Sequence, residues 1–148
     1  VELDTKAIAE ALMIEPKSDL NSAQILLKGG EYSRSIYHSQ LAVEKAMKSC
    51  LALAGKIITD NHFVSDRFIH TFSTMPNGLK IAKNAKYLER QGTKTRYPMF
   101  RDATRPIWTP SKEYTKSDAI EAFGKAESAF DAIIRFLEDQ YKITFKLE

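Results

Sequence analysis

The sequence predicts an all-α fold, and three observations predict it. Apolar residues recur at helical spacing almost throughout the chain. The alternation of β-branched and polar residues that would mark strands is missing. Glycine and proline stand between the periodic stretches, where they end helices. With 148 residues the chain is long enough to bury roughly two thirds of its unfolded surface around one core. No repeat, low-complexity tract or linker divides it, so residues 1–148 read as a single helical domain.

A first short helix is expected from about Thr5 to Ile14, because Pro16 disfavours helical geometry at the residue before it. Ser18 or Asp19 can cap a second helix, which runs through Leu20, Ala23, Leu26 and Leu27 to the stop at Gly29 and Gly30. The next, from about Tyr32 to Ala54, has faces that separate cleanly. Ile36, Val43, Met47, Cys50 and Ala54 form the apolar stripe, and Tyr37, Gln40, Glu44 and Lys48 fall together along its edge. His38 and Lys45 point away.

After Gly55 a loop carries Thr59, Asp60, Asn61 and His62, followed by a short helical piece around Val64 to Phe72. Pro76, Asn77 and Gly78 interrupt it. A helix from Leu79 to Arg90 turns Ile81, Ala85 and Leu88 inward and Lys80, Lys83, Lys86, Tyr87 and Arg90 outward. Gln91 to Tyr114 contains Gly92, Pro98, Pro106 and Pro110 and reads as a long irregular loop, a length usually tied to function. The final helix opens on a Thr115 to Asp118 capping box and has an inner stripe of Ile120, Phe123, Phe130, Ile133, Ile134, Leu137 and Tyr141. Glu121 with Lys125, Asp131 with Arg135 and Glu138 with Lys142 are acid-first pairs on its outer face.

Hydrophobic content of 43% excludes a disordered chain. Cys50 is the only cysteine, and among apolar neighbours it reads as a small buried hydrophobe in a reducing compartment. No apolar run approaches the ~20 residues that cross a bilayer, and residues 1–15 mix acids with apolar residues, unlike a signal peptide. A cytoplasmic location is expected.

Charge is unevenly spread. Between Lys80 and Arg105 stand eight cations against two acids, so this segment is +6 in a protein of net +3. Tyr87, Tyr97, Phe100 and Trp108 are interleaved with it, offering flat surfaces for bases beside cations for a phosphate backbone. The competing reading is a solvated basic face with a partly buried aromatic loop.

His38, His62 and His70 are scattered and no zinc-type spacing exists, so no metal site is expected. The chain has no P-loop, dinucleotide fingerprint or nucleophile elbow, and Cys50 in the apolar stripe is unsuited to nucleophilic attack. Two features remain. Tyr37, Gln40, Glu44 and Lys48 form either an ordinary core boundary or one wall of a polar groove. Thr95, Arg96, Tyr97 and Pro98 form a stiffened loop in which Arg96 could hold a phosphate, oriented by an acid such as Glu44. The same Arg and Glu could instead be a structural ion pair tying loop to bundle.

The run from Asp19 to Lys56, containing GGEYSRSIYHSQLAVEKAMKSCLALAGK, resembles the helical HEPN domains. The later TKTRYPMFRDATRPIWTPSKEYTKSDAIEAFGKAESAFDAIIRFL looks like the Arg-Tyr-Pro loop and final helix of the same family. The resemblance implies a four- to five-helix up-and-down bundle, often dimeric, that pairs with a separate minimal nucleotidyltransferase, in many cases as a toxin–antitoxin module. Active members are metal-independent ribonucleases that use an Arg followed roughly four to six residues later by a His. Carried over, the Arg falls on Arg96. Five positions on stands Arg101, and no histidine follows His70. A guanidinium stays protonated and cannot replace an imidazole as general base. Met99 also stands where the family loop has an Asp after its Pro.

The expectation is therefore a homodimeric helical module without a cofactor that binds RNA or a nucleotide and pairs with a nucleotidyltransferase. Arg96, Arg101 and Arg105 would contact phosphates, Tyr97 would stack, and Tyr37, Gln40, Glu44 and Lys48 would line the groove. The alternatives are an endoribonuclease toxin with Arg96 in a divergent site, or a purely structural subunit.

Overall fold

The computed structural model describes residues 4–100, 103–104 and 106–147. Among them six helices follow in order: α1 (Thr5–Lys28), α2 (Tyr32–Leu53), α3 (Ser65–Thr71), α4 (Gly78–Gln91), α5 (Pro110–Glu113) and α6 (Lys116–Tyr141). A 3₁₀ turn, Thr93–Thr95, follows α4. Among the described residues the only β-type pairing is an isolated bridge between Met99 and Trp108, so the fold is an all-α bundle without a sheet.

α2 is the central rod, packing against each of the other helices and the 3₁₀ turn. Small residues let its neighbours approach closely. Ser35 and Ser49 donate their hydroxyls across to carbonyls of α1, those of Ala23 at 2.7 Å and Ala9 at 2.6 Å. Each such bond contributes on the order of 1 kcal/mol. On the other side α6 presents Ala119, Ala122, Ala126 and Ala129, all fully buried. Phe68, Phe72, Phe136 and Tyr141 form an aromatic chain with successive ring centroids 5.2, 5.2 and 5.9 Å apart, joining α3 to α6.

Two expectations are corrected. Pro16 does not divide two helices but lies buried inside one continuous α1, capped by Asp4. Its missing N–H removes one helix bond. The stripe Ala9, Met13, Pro16, Leu20 and Ala23 nevertheless continues across it at helical spacing, and burial of that stripe outweighs the local defect. Asp19 accordingly caps nothing: it accepts from Lys45 at 2.8 Å and lies 3.3 Å from His38, clamping α1 to α2. In α6, Ile120 points outward and is half exposed, whereas the alanine line and Phe136 join Phe130, Ile133 and Leu137 in the core. Close helix approach favours the small side chains there.

The capping box forms as expected, with Asp118 N–H donating to Thr115 Oγ1 at 3.2 Å and Thr115 N–H to Asp118 Oδ2 at 2.8 Å. The short α3 has a borrowed cap. Glu89 of α4 accepts from the Val64 and Ser65 amides at 3.0 and 2.9 Å and from the Ser65 hydroxyl at 2.7 Å. Glu89→Ala is therefore expected to lower unfolding free energy by about 1–3 kcal/mol. Urea denaturation checks the global loss, and hydrogen exchange should show the fastest new exchange at Val64–Phe68.

Candidate functional site

The connection from α4 to α6 is more ordered than its composition suggests, and that order is what presents Arg96. Thr95 is fully buried, and its hydroxyl donates to the Gly92 carbonyl at 2.8 Å. Met99 and Trp108 exchange backbone hydrogen bonds of 2.9 and 2.8 Å. The Trp108 indole donates to the Lys94 carbonyl at 3.0 Å, and Tyr114 Oη donates to Gln91 Oε1 at 2.6 Å. Burial, with the neighbouring acid Asp118 and Tyr87 adding to it, pushes the Tyr114 phenol up to about 12. It stays a donor at any ordinary pH.

Held this way, the loop lays Arg96 on α2. The Arg96 guanidinium carbon lies 5.1 Å from the centre of the Tyr37 ring and 5.7 Å from that of Tyr97, and the side chain remains exposed. Guanidinium and ring attract through the ring quadrupole, by about 0.5–1 kcal/mol at an exposed site. An aromatic partner fixes the cation's position without cancelling its charge.

Glu44 does not orient Arg96. It is buried and already engaged: Gln40 donates to Oε1 at 3.1 Å, Lys48 to Oε2 at 3.1 Å, and His62 Nδ1 lies 3.2 Å from Oε2. Gln40 and Lys48 are buried with it, so these three are not an open groove wall. Their mutual hydrogen bonds satisfy them inside the bundle, which is why a polar strip can be enclosed. Of the four predicted lining residues only Tyr37, half buried, reaches the Arg96 surface. Arg101 and Arg105 lie outside the described residues.

The interleaved aromatics divide in the same way. Tyr97 and Phe100 are well exposed. Trp108 is spent on the loop, edge-on to Tyr114 at 5.4 Å, and Tyr87 bonds Glu121 at 3.3 Å beneath the Lys125 ammonium. Lys80, Lys83, Lys86, Arg90 and Lys94 are exposed, with Lys86 paired to Asp66 at 2.7 Å.

Sequence reasoning missed His62. Its partner Glu44 lies eighteen positions away, so spacing carries no sign of the pair. In the tautomer that donates Nδ1–H to the carboxylate, Nε2 is left as a proton acceptor on a largely exposed ring. Tyr37 and Glu44 are two turns apart on α2, about 10 Å along the axis, so Arg96 and His62 attach to one side of that helix. Burial pushes the Cys50 thiol well above its ordinary range, which removes it as a nucleophile. Among the described residues no group of three His, Cys, Asp or Glu could hold a metal ion, and no helix is long and apolar enough to cross a membrane.

Removing Glu44 alone strands the Lys48 ammonium. Glu44→Ala should cost about 3–5 kcal/mol, and the double change Glu44→Leu with Lys48→Met should recover most of that. Paired urea titrations check the coupling.

Residues 9–139 match the HEPN domain family. The protein named "Putative toxin MJ1304" from Methanocaldococcus jannaschii is 35% identical over 140 residues, covering 90% of each chain. Among solved structures, TT1696 from Thermus thermophilus superposes with a TM-score of 0.75 over 87% of this chain and 98% of its own at 23% identity, a likeness of fold. ST0689, described as an archaeal HEPN homologue, superposes with a TM-score of 0.63 over 84% of this chain and 93% of its own at 25% identity. With a family match over most of its length and a relative of this identity, the chain belongs to the HEPN domain family.

Proposed function

We propose that this protein is a HEPN module that binds single-stranded RNA through the Arg96 face and pairs with a minimal nucleotidyltransferase in a toxin–antitoxin-like system. The observation that carries the RNA reading is the exposed guanidinium set against two aromatic rings, on a loop that also exposes Phe100 and follows the lysine-rich helix α4 in the chain. Arg96 contacts phosphate, Tyr97 and Phe100 stack on bases, and Arg101 and Arg105 extend the phosphate contacts. The likeness to a relative named as a toxin supports the toxin side of the pairing. Two copies of the module would join their Arg96 faces into a longer RNA track.

Titration of the chain with a labelled single-stranded RNA over a salt series tests this. Affinity should fall steeply as salt rises, and Arg96→Ala should weaken binding about tenfold and reduce the salt slope by about one phosphate contact. Arg96→Lys should recover only part, because an ammonium lacks the flat face that packs on Tyr37. Binding that ignores salt and Arg96 would sink the reading.

A second reading, a metal-independent ribonuclease, is favoured by the imidazole of His62 held by a buried carboxylate on the same side of α2. Such a site cleaves RNA in the presence of chelator. That activity should disappear in both Arg96→Ala and His62→Ala, and RNA left intact by the purified protein and its paired complex counts against it.

A further inference from the structure

At the end of α4 opposite to the one that leads into the Arg96 loop, the first turns of α4 and the middle of α6 line a cleft of about 390 Å³. That is large enough for a small metabolite. Its chemistry is unlike that of an ordinary crevice.

Asn84 is the first indication. It is 9% exposed, lines the cleft, and makes no side-chain hydrogen bond among the described residues. Among those residues no polar side-chain atom sealed from solvent lacks a partner, so the Asn84 amide gains its access through the cleft. Its hydrogen-bonding groups are therefore open to the cleft, whereas the other enclosed polar side chains among the described residues have protein partners.

The cleft also receives the start of a fourteen-residue helix. Asn77, in left-handed backbone geometry at φ 59, supplies no side-chain cap to α4, and the first turn holds no acid. The Leu79 and Lys80 amides have no backbone acceptor among the described residues, whereas Gly78 and Ile81 bond the Met75 and Asn77 carbonyls. Free amides and the positive end of the helix dipole together favour an anion. Lys80 and Arg135 flank the opening, and neither is tied up in an ion pair among the described residues. Ser128 adds a hydroxyl.

One lining group opposes a bare anion. Asp131 carries a carboxylate on the same wall, four residues before Arg135. It disfavours a phosphate beside it but accepts hydrogen bonds from hydroxyl groups, so it suits a ligand that turns its hydroxyl end to that wall. We propose that the α4/α6 cleft is a second ligand site, taking a phosphomonoester of a hydroxyl-bearing small molecule. The phosphate sits at the α4 terminus between Lys80 and Arg135, and the hydroxyls are read by Asp131 and Asn84. The site is independent of the Arg96 face and of the RNA reading.

Calorimetric titration of the full chain with ribose 5-phosphate, with ribose and inorganic phosphate in parallel, tests the assignment. Ribose 5-phosphate should bind about tenfold or more tightly than either fragment. Lys80→Ala and Arg135→Ala should each weaken it about tenfold, and Arg96→Ala should leave it unchanged. Asn84→Ala should weaken binding about fivefold while keeping or raising the melting temperature, because the amide has no internal partner to lose. Undetectable ribose 5-phosphate binding, equal affinity for inorganic phosphate, or dependence on Arg96 would overturn the proposal. A large loss of melting temperature in Asn84→Ala would make the amide structural and overturn it as well.

Discussion

The architecture depends on the burial of α2 on nearly every side. Fifteen of its 22 residues are buried, more than a single amphipathic stripe can account for. A rod enclosed like this needs narrow contacts, and Ser35, Ser39, Ser49, Ala42 and Ala46 provide them. The serines satisfy their hydroxyls on backbone carbonyls, so small polar residues cost the interior little. The same enclosure draws Glu44 inside, where Gln40, Lys48 and His62 meet its oxygens.

From this follows a division of labour between charges. Glu44 and Asp19 hold elements together and have their cations beside them. Arg96 is placed by ring faces instead, so among the described residues its charge has no carboxylate partner and is available to a phosphate. Had Glu44 paired with Arg96, the loop would be equally well fixed but electrostatically satisfied. The loop's own bonds, from Thr95 to Gly92 and Trp108 to Lys94, make the placement of the guanidinium a property of the fold.

Much of the fold was legible in the sequence because helices announce themselves through local periodicity. The long α2, the helix of outward lysines after Gly78 and the Thr115 capping box all rest on residues within a few positions of one another. Pro16 misled because its local preference is strong and visible, whereas the stripe that overrides it acts only once α1 is packed. Ile120 misled for a related reason: counting large apolar residues cannot tell which face must admit a close neighbour, and the alanines of α6 occupy that face. The segment before α6 looks irregular in sequence because its order comes from contacts between distant residues, such as Met99 with Trp108 and Tyr114 with Gln91.

By itself the sequence determined the all-α class, most helix limits, and the concentration of positive charge between Lys80 and Arg105, since each depends on composition or on spacing along the chain. The tertiary structure alone decided which polar residues are sealed in and which are offered outward. Glu44 and Arg96 are both single charged residues in the sequence. Only packing sends one to the interior with three partners and leaves the other on a tyrosine ring in water. The pairing of His62 with Glu44 and the opening of the Asn84 amide onto the α4/α6 cleft likewise arise from helices meeting in space, because the free energy of a buried polar group is set by neighbours remote in the chain.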